Sequence, residues 1–376
     1  MDKKRGEVQM KESLIKRFRL AERNSALDLI RIFATVSVIC VHFFYNIGFY
    51  QQIIEEEDSS MFLSVGMRTF FMVCVPLFIV LTGYLMNKKE LSPAYYKGIL
   101  HTLGIYVIVS VFCLIYKGTK GGQPVTAITG LQEILNFKAD SYSWYIEMYI
   151  GLFLLIPFLN LIYNHIGSRR GKQMLIATFF VLSTLPSICN VYGIKIVPAW
   201  WGGVWPVLYY FIGCYIREYP VKLSWFWHLV LLAAVLFAST KFNCHRSMNK
   251  VFEVQAYDDW FGWQNVLSTT ILFSLLNKIR MDKLPVIFKG ILYALARLSL
   301  GIYLASWIAD QYVYPKFKLE VPDYADRLPY FGGLVVRVLA GALLLSLAAE
   351  LIYFVLSQAG IWIGKLLKRK NGDGNK

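Results

Sequence analysis

Charge is scarce in this chain. Only 17% of its 376 residues are Asp, Glu, Lys or Arg, while 56% are hydrophobic. Soluble domains carry about 25% charged and about 45–50% apolar residues, so an ordinary soluble domain is excluded. Acidic residues are the rarer sign, 24 against 39 Lys and Arg. The net charge of +15 would suit nucleic acid if the basic residues were gathered into one surface. Instead they fall in short segments between apolar runs, which is how membrane topology is written, and no nucleic-acid partner is expected. Cysteine is sparse and isolated. Cys40, Cys74, Cys113, Cys189, Cys214 and Cys244 form no CxxC and no metal-ligand spacing with histidine, so neither a disulfide framework nor a metal site is expected. A small-residue cleavage site is missing behind the basic N-terminal arm, which therefore does not read as a removable signal. Internal repeats and inverted hydropathy symmetry are missing too, which counts against a transporter.

What is present is a series of apolar segments of spanning length. They fall near 26–48, 62–86, 99–116, 143–163, 174–191, 200–216, 224–241, 263–277, 290–312 and 332–357. The expected fold is an all-α integral membrane protein of about ten transmembrane helices. Residues 1–24 form a basic arm, with an interfacial helix around 10–19; residues 25–358 form one membrane domain; residues 359–376 form a basic tail. An even number of crossings puts both termini on one side. Twenty-five of the 39 Lys and Arg lie in the segments that this arrangement places inside, and ten in the loops outside. That bias points both termini into the cytoplasm and the chain into a cell membrane as a multi-pass protein.

Ionisable groups inside such spans are costly and mark functional sites by default. The first span carries Arg31 and His42 with ten residues between them. On a helix that offset is about 20° past three full turns, so both side chains share a face about 16 Å apart along the axis. Asp28 lies one turn before Arg31, within reach of it. An imidazole is the side chain best suited to accept a proton near neutral pH, and an arginine suits holding an anion or developing negative charge. Histidine plus arginine fits acyl transfer to an alcohol, and it also fits proton-coupled transport. On spacing alone, a snorkelling arginine with a satisfied core histidine fits equally.

Further candidates follow along the chain. Arg68, in the outer third of the second span, is an acceptor-side candidate that also reads as an interfacial snorkel or as a buried partner of a carboxylate. Pro76 should kink that span, and Gly83 should permit a close helix contact. Lys88, Lys89 and Lys97, with His101 beyond them, lie on an inner loop and could grip phosphates of a nucleotide-like donor; positive-inside placement alone would produce the same residues. Trp144 opens the fourth span and Glu147 lies one turn inside it, available to an acceptor or to Arg68. Trp201, in the aromatic Gly-rich stretch 198–206, could stack on a sugar ring or anchor the interface. The outside loop 242–263, with Asp258 and Asp259, could help to close an acceptor site.

These residues resemble a known family. Leu27-Asp28-Leu29-Ile30-Arg31 followed by His42 is similar to the first helix of the membrane acyltransferase-3 family. Leu77–Leu85, Trp144 through Asn160, and Ser299–Leu304 resemble its later landmarks in the same order, so the likeness spans most of 25–358. The resemblance implies a ten-helix enzyme that takes an acyl-CoA, usually acetyl-CoA, from the cytoplasm and acylates carbohydrate hydroxyls at or beyond the outer face. It implies that Arg31 and His42 are essential, and that acyl-CoA is a co-substrate, with no bound cofactor. The partners expected are a cell-surface polysaccharide or lipid-linked glycan acceptor, the bilayer, and polysaccharide-assembly proteins; the membrane expected is the bacterial cytoplasmic one.

Three positions depart from the family. Where it often carries Arg-x-x-Arg, this chain has only Lys97 and His101 to stand in. Ser306 occupies a position often held by histidine, and Thr82 replaces a serine. No esterase-like domain follows the last span, so a second transfer step is expected to need a separate protein. A polysaccharide or lipid-linked sugar transporter and a non-enzymatic membrane scaffold remain the competing readings.

Overall fold

The computed structural model of the chain describes residues 24–55, 59–122, 124–190 and 194–372, with 361–372 as backbone alone. The arm 1–23, its expected interfacial helix and the last residues of the tail lie outside these. Among the described residues the chain is helical, with only two isolated β-bridges. Lipid favours this outcome, because a spanning backbone must satisfy its own hydrogen bonds.

The helices are α1 (Ser25–Asn46), α2 (Ser59–Phe71), α3 (Cys74–Met86), α4 (Pro93–Lys97), α5 (Leu100–Thr119), α6 (Ala127–Leu135), α7 (Trp144–His165), α8 (Arg169–Ser183), α9 (Pro186–Cys189), α10 (Trp205–Glu218), α11 (Trp225–Arg246), α12 (Trp263–Leu276), α13 (Val286–Glu320) and α14 (Phe331–Gly372). Seven stretches among the described residues are long and apolar enough to cross a membrane: Ser25–Gln51, Ser59–Met86, Pro93–Thr119, Trp144–His165, Trp225–Arg246, Val286–Glu320 and Leu328–Gly360. The three other expected spans form shorter helices. Helix α8 has 15 residues, and α10 and α12 have 14 each. Fourteen residues rise about 21 Å, short of a hydrocarbon core of about 30 Å. Helix α14 runs unbroken to Gly372, so backbone helix continues into the segment expected as a tail.

The chain groups into two compact units, Met1–Lys88 with Asn160–Ser299, and Lys89–Leu159 with Leu300–Lys376. In the first unit α3 is central, packed against α10, α1 and α12. It is buried nearly all round, from Cys74 through Gly83, as a helix apolar on every side must be. The second expected span is broken at Met72–Val73 into α2 and α3. Pro76 is the cause: it has no N–H for the carbonyl four residues back and its ring crowds that turn. The α3–α10 crossing is glycine-made. A Cβ on Gly83 would lie 2.0 Å from the Tyr210 carbonyl oxygen, and one on Gly213 would lie 2.0 Å from that of Val80. Asn160 ties the end of α7 to the same pair, donating to the Met86 carbonyl at 2.8 Å and accepting from the Tyr210 hydroxyl at 2.7 Å.

The second unit is built on α5 against α14, with α6 beside α5. Its interior holds a polar chain. Tyr303 donates to the Tyr142 carbonyl at 2.6 Å, Tyr142 donates to Asp310 at 2.7 Å, and Ser143 donates to Asp140 at 2.7 Å. Asp310 and Ser306 are fully buried on α13, where the Ser306 hydroxyl turns back to the Tyr303 carbonyl.

Candidate active site

Helix α1 is set up at both ends by its own sequence. Asn24 caps it by accepting from the Ala26 N–H at 3.0 Å, and Asp28 in the first turn complements the positive helix end. It stops where Gly48 takes a left-handed conformation at φ 89°, with Ile47 N–H closing on the Phe43 carbonyl at 2.9 Å. Between those ends the helix is unbroken, so the face shared by Arg31 and His42 is real. Asp28 is buried at 3% exposure on the same first turns, while Arg31 and His42 are half-buried. Thr35 bonds back to the Arg31 carbonyl at 2.9 Å and Asn46 to that of His42 at 2.8 Å, satisfying these polar side chains within the helix. Helix α1 packs on α3, α2 and α12 within the first unit. The end of the helix beyond His42 is packed by rings: Phe43 and Phe44 meet at 5.2 Å, Phe44 and Phe49 at 5.6 Å, and Phe49 and Phe252 at 5.2 Å.

The same cluster receives Arg68. Its guanidinium sits 4.8 Å over the Phe252 ring, its Nε donates to Tyr50 Oη at 3.3 Å, and its Nη1 donates to Asp258 Oδ2 at 2.5 Å. Both charged side chains are 1% exposed. Arg68 is therefore no snorkel. Its carboxylate is Asp258, brought in by the loop 247–262, and Glu147 on α7 is exposed. That loop is itself anchored: Asn265 donates to the Asp258 and Asp259 carbonyls at 3.1 and 2.8 Å, and Ile54 N–H reaches the Lys250 carbonyl at 3.0 Å.

The remaining candidates belong to both units. Lys88 belongs to the first unit and Lys89, Lys97 and His101 to the second, the three lysines exposed. His101 faces Glu350 of α14 at 3.0 Å and the Tyr353 ring edge-on at 4.8 Å. Trp144 is half-buried at the start of α7, and Trp201 is 57% exposed just before a short 3-10 turn. Thr82, at the family's serine position, donates to the Phe78 carbonyl of its own helix at 2.8 Å. Sequence reading missed an amide pair inside the first unit, where Asn243 and Gln264 exchange bonds of 3.0 and 2.8 Å and Asn243 reaches Thr69. It also missed Asp310. The signal was available in both cases, since amides and carboxylates inside apolar spans must find partners.

These features define a multi-pass helical membrane protein with an ionisable pair on a buried helix. A family model described as an acyltransferase domain matches residues 24–347. The chain belongs to this acyltransferase-3 family, and it is a membrane acyltransferase. No curated protein and no solved structure matches the chain.

Proposed function

We propose that the protein moves an acyl group, acetyl first of all, from cytoplasmic acyl-CoA to a hydroxyl of a cell-surface polysaccharide or lipid-linked glycan precursor. The observation that carries this reading is the placement of Arg31 and His42 on one face of an unbroken helix in a chain of the acyltransferase family. Their axial separation of about 16 Å means that they do not act on one atom. Arg31, toward the inner end, holds an anionic part of the donor. His42 takes the proton of the sugar hydroxyl as it attacks the thioester, or first carries the acyl group as acyl-histidine. Either way a C–S bond is exchanged for a C–O bond, and the hydroxyl proton leaves on the CoA thiol. In the segment where the sequence leads one to expect contact with the donor phosphates, Lys88, Lys89 and Lys97 are exposed and His101 is engaged with Glu350. Trp144, Glu147 and Trp201 are the acceptor-side residues, supported for Glu147 and Trp201 by their exposure and for the indoles by the fit of a flat ring to a sugar face. Ten crossings with both termini inside follow from the basic bias, and a bacterial cytoplasmic membrane with polysaccharide-assembly partners is the setting proposed.

The test uses membrane vesicles given radiolabelled acetyl-CoA on the cytoplasmic face. Label should appear in glycan and fall by about 10²-fold or more in His42→Ala and Arg31→Ala proteins that still insert. Normal O-acetylation by His42→Ala protein would sink the mechanism.

A further inference from the structure

The first unit contains a polar cavity of about 750 Å³ at the start of α1. Ser25, the first residue of the helix that carries Arg31 and His42, lines it together with Trp225 at the start of α11. Its other functional walls come from the α12–α13 connection and the first turn of α13: Lys278, Arg280 and Lys289, with Asp282 as the one carboxylate. Three cations against one anion make the cavity positive. Two of the cations are held in place by backbone: Lys278 Nζ donates to the Leu223 carbonyl, and Lys289 Nζ donates to that of Asp282 at 2.8 Å. An ammonium has three N–H donors, so each anchored lysine keeps others for a ligand, and the exposed Arg280 offers a planar fork. Trp225 is 46% exposed and presents an indole at the rim of the same cavity.

An aromatic plane and three cations lining one cavity are the chemistry that recognises a phosphorylated nucleotide: base on indole, phosphates on lysine and arginine. We propose that this cavity holds the nucleotide end of the acyl donor. This rests on the reading of the protein as an acyl-CoA-dependent transferase, and it gives that donor an entry point. Ser25 is about 9 Å along the axis from Arg31 and about 26 Å from His42, so a donor held here by its nucleotide runs its thioester arm outward along α1. The donor phosphates are thereby assigned to Lys278, Arg280 and Lys289 rather than to Lys88, Lys89 and Lys97. Anionic lipid headgroups share the phosphate chemistry but have no base for Trp225.

The experiment measures binding of adenosine 3′,5′-bisphosphate to the full-length protein in nanodiscs of zwitterionic lipid, beside acyl-transfer kinetics with acetyl-CoA. An R280Q/K289Q protein should bind at least about tenfold more weakly, since each charge-assisted bond contributes on that order. W225L should bind several-fold more weakly, while K88Q/K97Q stays within about twofold of wild type. Transfer by R280Q/K289Q should show a raised KM for acetyl-CoA with kcat little changed. Arg280 is exposed, so R280Q alone is expected to melt with the wild type and still bind the bisphosphate more weakly. Wild-type binding that is insensitive to R280Q/K289Q, or lost in K88Q/K97Q, overturns the assignment. So does a wild-type protein that fails to bind the bisphosphate, or that binds it only when anionic lipid is present. Binding through Arg280 and Lys289 without any acyl transfer keeps the cavity a nucleotide site and sinks the donor reading instead.

Discussion

Arg68 and Asp258 should prove to be a structural pair whose separate removal is far more damaging than their joint removal. The side chains meet at 2.5 Å with each 1% exposed, and Tyr50 and Phe252 lie against the guanidinium. Arg68→Met keeps the volume and strands a buried carboxylate; Asp258→Leu strands a buried guanidinium. Breaking one side of such a pair costs about 3–5 kcal/mol, because the remaining charge has lost its partner without regaining water. Replacing both, as Arg68→Met/Asp258→Leu, removes both desolvation penalties and should be within about 2 kcal/mol of wild type. The coupling energy from the four proteins should therefore exceed about 2 kcal/mol. The assay is reversible unfolding in mixed detergent micelles, read by loss of helical circular dichroism. An Arg68→Met protein within about 1 kcal/mol of wild type would refute the reasoning, since an exposed pair is worth no more than that. The same proteins also test the acceptor-side role considered for Arg68. If the double variant refolds well but shows a raised acceptor KM, the arginine touches the acceptor as well as Asp258.

Gly83→Ala and Gly213→Ala each place a methyl 2.0 Å from a backbone oxygen, so α3 and α10 must separate by more than 1 Å at their closest crossing. Each should cost about 1–3 kcal/mol in a thermal or detergent melt. Gly151→Ala, which meets nothing within 4 Å, should be neutral or slightly stabilising and serves as the control. Asp140, in the loop before α7, is pushed above the ordinary carboxylate range by burial, although Ser143 and the Tyr142 and Ser143 backbone pull it down. The folded protein therefore holds a proton that the unfolded chain releases near pH 4, roughly the ordinary aspartate value. Its contribution to stability is complete below that pH and is lost as pH rises through the folded value. Asp140→Asn should flatten this trend in melting temperature, and a wild-type-minus-variant difference that grows with pH would overturn it.

Much of the site was legible because spacing on a helix is a local matter. Arg31 and His42 share a face wherever α1 sits, and Asn24, Asp28 and Gly48 set its ends from within the segment. The break near Pro76 and the small face at Gly83 were readable for the same reason. What could not be read was partner identity. Arg68 needed a carboxylate, and Glu147 at a similar depth was as good a choice on sequence as Asp258, which stands 190 positions away. Neither hydropathy nor charge bias reports which loop folds back onto which helix. His101 likewise looked available until Glu350 arrived from α14.

By itself, then, the sequence determined that the chain is helical, that it enters a membrane, and that it carries an acyltransferase's landmarks in order. Lipid leaves apolar runs of that length no other way to satisfy their backbone, and the landmarks are written in contiguous residues. Tertiary structure alone decided which charges are spent on holding the fold and which line a cavity. Arg68 is buried against Asp258 and committed to the fold. Lys278, Arg280 and Lys289, unremarkable in a loop read as topology, are gathered beside Trp225 at the foot of α1. The physical reason is that a charge's role depends on what surrounds it after packing, and packing joins residues that the sequence keeps far apart.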